Sequence, residues 1–227
     1  MESQIFKLSF GISLVISGLG FGLNCRELTR LNITKIPKSL LLLLILNFSM
    51  ITQSLFAEIK GRTVCHEVLG VIFITGLALY PFVRCFHVLS SKLKWIGAIV
   101  NLLTFISICI VGAADYGVLS PIIGFAGIVI GFVTSTALAI YLLVILEPIE
   151  DSKIPINSQS FAQSGIVCAM IVFVVSVLTA GIPALHFLID VPEVFLSICG
   201  LLFSISEYFK LSDESDLEES DTEQLLK

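Results

Sequence analysis

Charged residues are scarce in this sequence. Only 14% of its 227 residues are charged, whereas 56% are hydrophobic, and a typical soluble domain is about 25% charged. A soluble fold of this size could not bury so many apolar side chains, so the composition predicts an integral protein of the lipid bilayer. No patch of basic residues is present, and we therefore expect no nucleic-acid partner.

Clusters of cysteine are also lacking. The chain has six cysteines, and no two of them form a C-x-x-C pair: Cys25, Cys65, Cys85, Cys109, Cys168 and Cys199. Most of them lie inside apolar runs, where cysteine behaves as a small hydrophobic residue. This spacing argues against a zinc site, and we expect no metal and no cofactor.

Ionisable side chains are missing from the middle of the apolar runs. The polar residues there are neutral: Ser17, Asn47, Thr75, Thr104, Thr134, Ser135, Thr136 and Ser176. Proton pumps, retinal proteins and intramembrane proteases need carboxylates, a lysine or paired catalytic residues at that depth. The sequence therefore predicts a protein that is not an enzyme and that has no proton relay at mid-membrane.

Seven apolar runs predict the fold class. Each is bounded by charge, proline or glycine, and together they cover about 6–24, 39–57, 66–86, 95–113, 119–146, 162–185 and 191–209. Because an open strand cannot satisfy its backbone in lipid, all seven should be helices. We predict an all-α domain over residues 1–210, followed by a disordered acidic tail over residues 211–227.

Lysine and arginine in the connecting segments predict the orientation of the chain. If the N-terminus is outside, ten basic residues lie inside: Arg26, Arg30, Lys35, Lys38, Arg84, Lys92, Lys94, Lys153, Lys210 and Lys227. Three lie outside: Lys7, Lys60 and Arg62. This positive-inside bias predicts a lumenal or extracellular N-terminus and a cytoplasmic C-terminus. The glycosylation sequon at Asn32 then lies on the cytoplasmic side and should stay unmodified.

A short sequence echo suggests an internal repeat. The segment TKIPKS (Thr34–Ser39) joins the first two runs, and SKIPIN (Ser152–Asn157) joins the fifth and sixth. These positions match in a 3+1+3 arrangement of two parallel repeats, which is similar to the plan of the sugar-facilitator transporters. Chance is the competing explanation, because proline favours the first turn of any helix.

Two sets of intramembrane residues have candidate roles. Gly18 with Gly22, and Gly127 with Gly131, form GxxxG spacings that predict close helix packing or self-association, as a homo- or hetero-oligomer. Asn47 and Ser54 share one face of the second run, and Asn101 and Thr104 share a face of the fourth. These four residues either line a solute path or form hydrogen bonds between helices.

The rims of the bundle carry charge. Arg84 and Glu207 lie near the cytoplasmic ends of their runs, where each either reaches the interface alone or pairs with the other as a gate. His66, His186 and Asp190 lie on the predicted outer rim. They are candidates for ligand binding or pH sensing in an acidic lumen, although a solvated rim explains them as well.

The acidic tail contains a candidate address. Seven of the 18 acidic residues fall in the last 16 positions. Asp221, Leu225 and Leu226 fit an acidic dileucine signal, which clathrin adaptors read on cargo bound for endosomes, lysosomes or vacuoles. Ser215 and Ser220 each precede an acid by three residues, which favours phosphorylation beside that signal. A tail that is acidic only for solvation is the alternative.

Three function classes remain compatible with these features. The first is an endomembrane facilitator of a small neutral or weakly charged solute, with the vacuole or lysosome membrane favoured over the endosome and the plasma membrane. The second is a seven-span receptor or cargo-binding protein. The third is a non-enzymatic assembly or sorting partner of other membrane proteins.

Overall fold

The computed structural model describes the backbone of residues 2–31, 36–60, 64–115, 118–150, 155–181 and 190–225. Side chains are described within 4–31, 36–59, 68–114, 118–120, 122–149, 155–179 and 190–213. Over these ranges the chain is helical and contains no strand.

Seven helices are long and apolar enough to cross a membrane. In chain order they begin with Glu2–Arg30, Lys38–Lys60, Val64–Cys85, Ser91–Asp115, Pro121–Ile140, Ile156–Gly181 and Val191–Leu225. The fifth continues without a break through a π-helical segment, Tyr141–Leu146, into a last α-helical turn, Glu147–Glu150. The predicted all-α membrane protein with seven apolar helices is thus confirmed, and the helices are called first to seventh below.

The helices pack mainly in chain order around a ring. Each contacts the next along the chain, and the seventh closes the ring against the first. The seventh also reaches the second and third helices, and the third reaches the fifth. The second and seventh helices are the most enclosed, with 50% and 56% of their apolar stretches buried. The centre of the bundle therefore lies along these two helices.

Two local irregularities lie in the third and fifth helices. Pro81 lies inside the third helix, which continues past it to Cys85. Such a residue removes one backbone hydrogen bond and bends a helix. The π-helical segment of the fifth helix, which is one turn and a half long, immediately precedes Glu147. Segments of this kind occur frequently at functional sites.

The observed helices differ from the predicted runs at two ends. The sixth helix begins at Ile156 and not near residue 162, because Asn157, Ser158 and Ser160 continue the helix in spite of their polarity. The seventh helix extends to Leu225, through the segment where disorder was predicted. No glycine or proline follows Gly200 to interrupt it.

Candidate functional site

Polar residues recur on the enclosed faces of the first and seventh helices. The first helix buries Ser13, Ser17 and Asn24, and the seventh helix buries Ser197, Ser204 and Glu207. Within each helix, successive members of the set are three, four or seven residues apart. Such spacings keep side chains on one helical face. Since the first and seventh helices pack on each other and on the second, these faces meet at the centre of the bundle.

Three helices share a hydrogen-bonded centre. The amide nitrogens of Asn24 and Asn47 both donate to the hydroxyl of Ser204, at 3.1 and 3.0 Å. That hydroxyl donates in turn to the carbonyl of Gly200 at 2.8 Å. A Cβ atom at Gly20 would lie 2.8 Å from the amide oxygen of Asn47, so glycine is needed there for the first helix to approach.

Further polar contacts extend this centre toward both ends of the bundle. Gln53 donates to Glu193 at 3.4 Å near the predicted outer end, and Ser39 donates to Glu207 near the inner end. Ser39 and Gln53 are 14 residues apart on one helix, which at a rise of about 1.5 Å per residue gives about 21 Å. We call this set the polar column: Asn24, Ser39, Asn47, Gln53, Glu193, Ser204 and Glu207.

Several buried polar atoms beside the column have no hydrogen-bond partner among the described residues. They are the hydroxyls of Ser13, Ser17 and Ser54 and the amide oxygen of Asn47. An unpaired buried polar group costs about 1–3 kcal/mol. The centre of the bundle thus retains hydrogen-bonding capacity that the described residues do not use.

A set of charged and polar side chains lies at the predicted inner end of the column. Arg84 of the third helix places Nε 2.7 Å from Oε1 of Glu147 and Nη1 3.5 Å from Oε2 of Glu207. Lys210 lies 3.5 Å from the same oxygen of Glu147. The hydroxyl of Tyr80 donates to Glu207 at 3.0 Å. We call these five residues the charge network.

Serines complete the coordination of the buried guanidinium. Arg84 donates to the hydroxyls of Tyr80, Ser206 and Ser158 at 2.8, 2.7 and 2.9 Å. Ser158 and Ser206 also bond to each other's backbone carbonyls, at 2.8 and 2.6 Å. Arg84 therefore joins the third, fifth, sixth and seventh helices. The pairing of Arg84 with Glu207, one of the two alternatives considered from the sequence, is present.

The structure separates the four residues predicted to line a solute path. Asn47 and Ser54 are buried at the centre of the bundle. Asn101 donates to the carbonyl of Gly97 in its own helix at 2.8 Å. Thr104 lies 3.5 Å from Thr134, between the fourth and fifth helices. The two pairs therefore do not face one common path.

The two glycine pairs have different surroundings. A Cβ atom at Gly127 would lie 3.1 Å from the carbonyl of Ser107, and one at Gly131 would lie 2.9 Å from the Cβ of Ser107. Gly127 and Gly131 therefore allow the fourth and fifth helices to pack closely. Gly18 and Gly22 are exposed, and a Cβ atom there would meet nothing within 4 Å.

Several predicted residues lie outside the described side chains. These are His66, His186 and the tail residues Ser215, Ser220, Asp221, Leu225 and Leu226. Asp190 is buried, and its carbonyl accepts a bond from the backbone of Glu193 at 3.3 Å, at the start of the seventh helix. The predicted outer-rim and sorting sites thus stay predictions.

Sequence reasoning missed Glu147 and Lys210. The predicted fifth run ends at residue 146, because Glu147 and Pro148 bound it with a charge and a proline. The signal that could have led to Glu147 is Arg84, its partner in the structure. A charged residue inside a membrane bundle usually pairs with one of opposite charge, so Arg84 calls for a carboxylate nearby. For Asn24 and Ser204, the available signal was the seven-residue recurrence of polar residues along the first and seventh helices.

Within the described residues, no three histidine, cysteine, aspartate or glutamate side chains converge as metal ligands do. The five cysteines with described side chains are free thiols. The sequence matches no protein-family model and no curated protein, and no solved structure is similar to it.

Proposed function

We propose that this protein is a multi-pass membrane transporter that facilitates passage of a small neutral or weakly charged solute. The observation that carries the proposal is the polar column with its unpaired hydrogen-bonding atoms at the centre of the bundle. Polar groups at this depth are costly in lipid and usually serve function. Hydroxyl and amide groups exchange hydrogen bonds with a neutral polar solute without requiring a counter-charge.

The charge network supplies a closure for the inner end of this path. Its two bases and two carboxylates balance, so the closed state carries no net charge in a low-dielectric site. Arg84 holds four helices by bonds that a small shift can break, and a π-helical segment lies beside it. The packing around Asn47 is tight. This suits the closed state of a transporter whose path opens alternately to the two sides of the membrane.

Solute flux tests the proposal directly. Full-length protein is reconstituted in liposomes and exposed to osmotic steps of polyols, sugars, urea and neutral amino acids, while light scattering reports the rate of reswelling. We expect at least one solute to enter faster than in protein-free liposomes. Asn47→Leu and Ser204→Leu should abolish that excess, because each replaces a hydrogen-bonding group of the column with a hydrocarbon.

Asn101→Leu is the matched control for the column variants. It makes the same substitution in the same bilayer, but at a side chain that donates to a carbonyl of its own helix. Retained flux in Asn101→Leu together with lost flux in Asn47→Leu supports the path proposed here. Equal flux in all folded variants, or no excess flux for any solute, refutes it.

A second candidate function is favoured by the exposed glycine face of the first helix. Among the described residues, none lies within 4 Å of a Cβ atom placed at Gly18 or Gly22, where small residues would allow another helix to pack closely. This favours an assembly partner of other membrane proteins or a homo-oligomer. Subunit counting by single-molecule photobleaching in liposomes tests it, and a monomer unchanged by Gly18→Leu rules out self-association through this face.

We further propose the orientation and address that the sequence predicts. The N-terminus is outside or lumenal, the C-terminus is cytoplasmic, and the protein belongs to an endomembrane, with the vacuole or lysosome favoured. The dileucine signal of the tail and its adjacent phosphorylation sites support this, through binding of a clathrin adaptor. The 3+1+3 repeat is kept as a hypothesis that rests on the two KIP segments.

A further inference from the structure

Glu147 has an incomplete set of partners for a buried carboxylate. It is only 3% exposed and follows the π-helical segment of the fifth helix. Both of its cationic neighbours, Arg84 at 2.7 Å and Lys210 at 3.5 Å, contact the same oxygen, Oε1. The other oxygen, Oε2, is buried and has no hydrogen-bond partner among the described residues.

Glu207 shows what a completed carboxylate of the same network looks like. Its Oε1 accepts from Ser39, and its Oε2 accepts from Tyr80 and lies 3.5 Å from Arg84. An ionised carboxylate takes donors on both oxygens, and leaving one bare in low dielectric is unfavourable. Of the two acids, Glu147 is therefore the one with a free position for a proton.

The surrounding charges determine what a proton at that position would do. The groups facing Glu147 are Arg84, Tyr80 and the thiol of Cys85 from the third helix, and Glu207 and Lys210 from the seventh. The sixth helix contributes the hydroxyl of Ser158 to Arg84, and on the fourth helix Lys94 lies over the ring of Phe86. With Glu147 ionised, two bases face two carboxylates, and protonation leaves one positive charge in excess.

Protonation also changes which helices are joined. The bond from Arg84 Nε to Glu147 then joins a cation to a neutral acid and loses the attraction between opposite charges. The other partners of Arg84 lie on the third, sixth and seventh helices, namely Tyr80, Ser158 and Ser206. The fifth helix is therefore the one that is released, at the π-helical segment.

We propose that Glu147 is a proton-binding site, and that a proton on its Oε2 releases the fifth helix from Arg84 and opens the inner end of the polar column. The coupling of this site to solute movement rests on the proposed transport function. The proton site itself does not, because it follows from the geometry of the carboxylate.

Infrared difference spectroscopy tests the site without any solute. Full-length protein in liposomes is titrated from neutral to acidic pH, and the carbonyl stretch of a protonated carboxylic acid is followed. All acidic residues of the chain contribute to this band, so the expected result is a difference: the wild type gains a component on acidification that Glu147→Gln lacks. Glu27→Gln is the matched control, because Glu27 is equally buried but lies outside the charge network, and it should keep that component. Equal bands in wild type and Glu147→Gln overturn the proposal.

The reswelling rate of the same liposomes, measured at neutral and at acidic pH, tests the coupling between the proton site and solute movement. The wild-type rate should rise several-fold on acidification, whereas Glu147→Gln, which mimics the protonated acid, should be equally fast at both pH values. A variant that keeps the wild-type dependence on pH contradicts the coupling. If the infrared band behaves as expected but no solute moves, the transport function fails and the proton site stands.

Discussion

Loss of the Arg84 guanidinium should be the most destabilising single change in the charge network. Arg84→Gln removes the partner of two carboxylates whose side chains are 4% and 2% exposed, Glu147 and Glu207. Removing one member of a buried ion pair typically costs about 3–5 kcal/mol, because the remaining charge is left buried. Lys210 and Tyr80 still face the two acids, so we expect the lower part of this range, about 3 kcal/mol.

Charge balance predicts how this loss is repaired. In Arg84→Gln one base faces two carboxylates, and adding Glu147→Gln restores one base to one carboxylate. The double variant should therefore recover stability, with a coupling of about 1–3 kcal/mol between the two sites. Reversible unfolding in mixed micelles is followed by the circular dichroism of the helices. It gives the free energies of unfolding of the wild type, the two single variants and the double variant, which together make up a double-mutant cycle.

An ion pair with one exposed partner provides the control for that experiment. Arg30 pairs with Glu27 at the same 3.5 Å separation as Arg84 and Glu207, but its side chain is 53% exposed. Water reaches Arg30 and can take its place beside Glu27, so Arg30→Gln should cost less than Arg84→Gln. A cost below about 1 kcal/mol for Arg84→Gln, or a double variant no more stable than it, would refute the reasoning.

Three further predictions concern packing, targeting and orientation. Gly131→Leu should cost about 1–3 kcal/mol in the same unfolding assay, because its side chain collides with the fourth helix at a position where even a Cβ atom is too close, whereas Gly18→Leu should unfold like wild type. Equal effects of the two would contradict the packing role assigned to Gly131. In cells, Leu225→Ala with Leu226→Ala should move an internally tagged protein from an acidic organelle to the surface, as fluorescence microscopy would show; an unchanged location removes the dileucine hypothesis. A gel shift after glycosidase treatment should be absent for the sequon at Asn32, and its presence would reverse the predicted orientation.

The candidate site could be predicted from the sequence only in part. Arg84 and Glu207 are visible as charges at the ends of apolar runs, and Asn47 as an amide within one. Glu147 looks like a loop residue, because the sequence does not show that the fifth helix continues through a π-helical segment. Asn101 and Asn47 look equivalent, because a single run of residues does not reveal which face of a helix is enclosed.

The sequence by itself determined that the chain is a bundle of seven apolar helices. The reason is local: lipid leaves every backbone group to be satisfied within its own segment, so length and hydropathy are sufficient. Only the tertiary structure decided which polar groups meet. Asn24 and Ser204 are 180 residues apart, and Arg84 and Glu147 are 63 apart. Their pairing depends on the rotation and order of whole helices, which follow from packing between helices and not from any one of them.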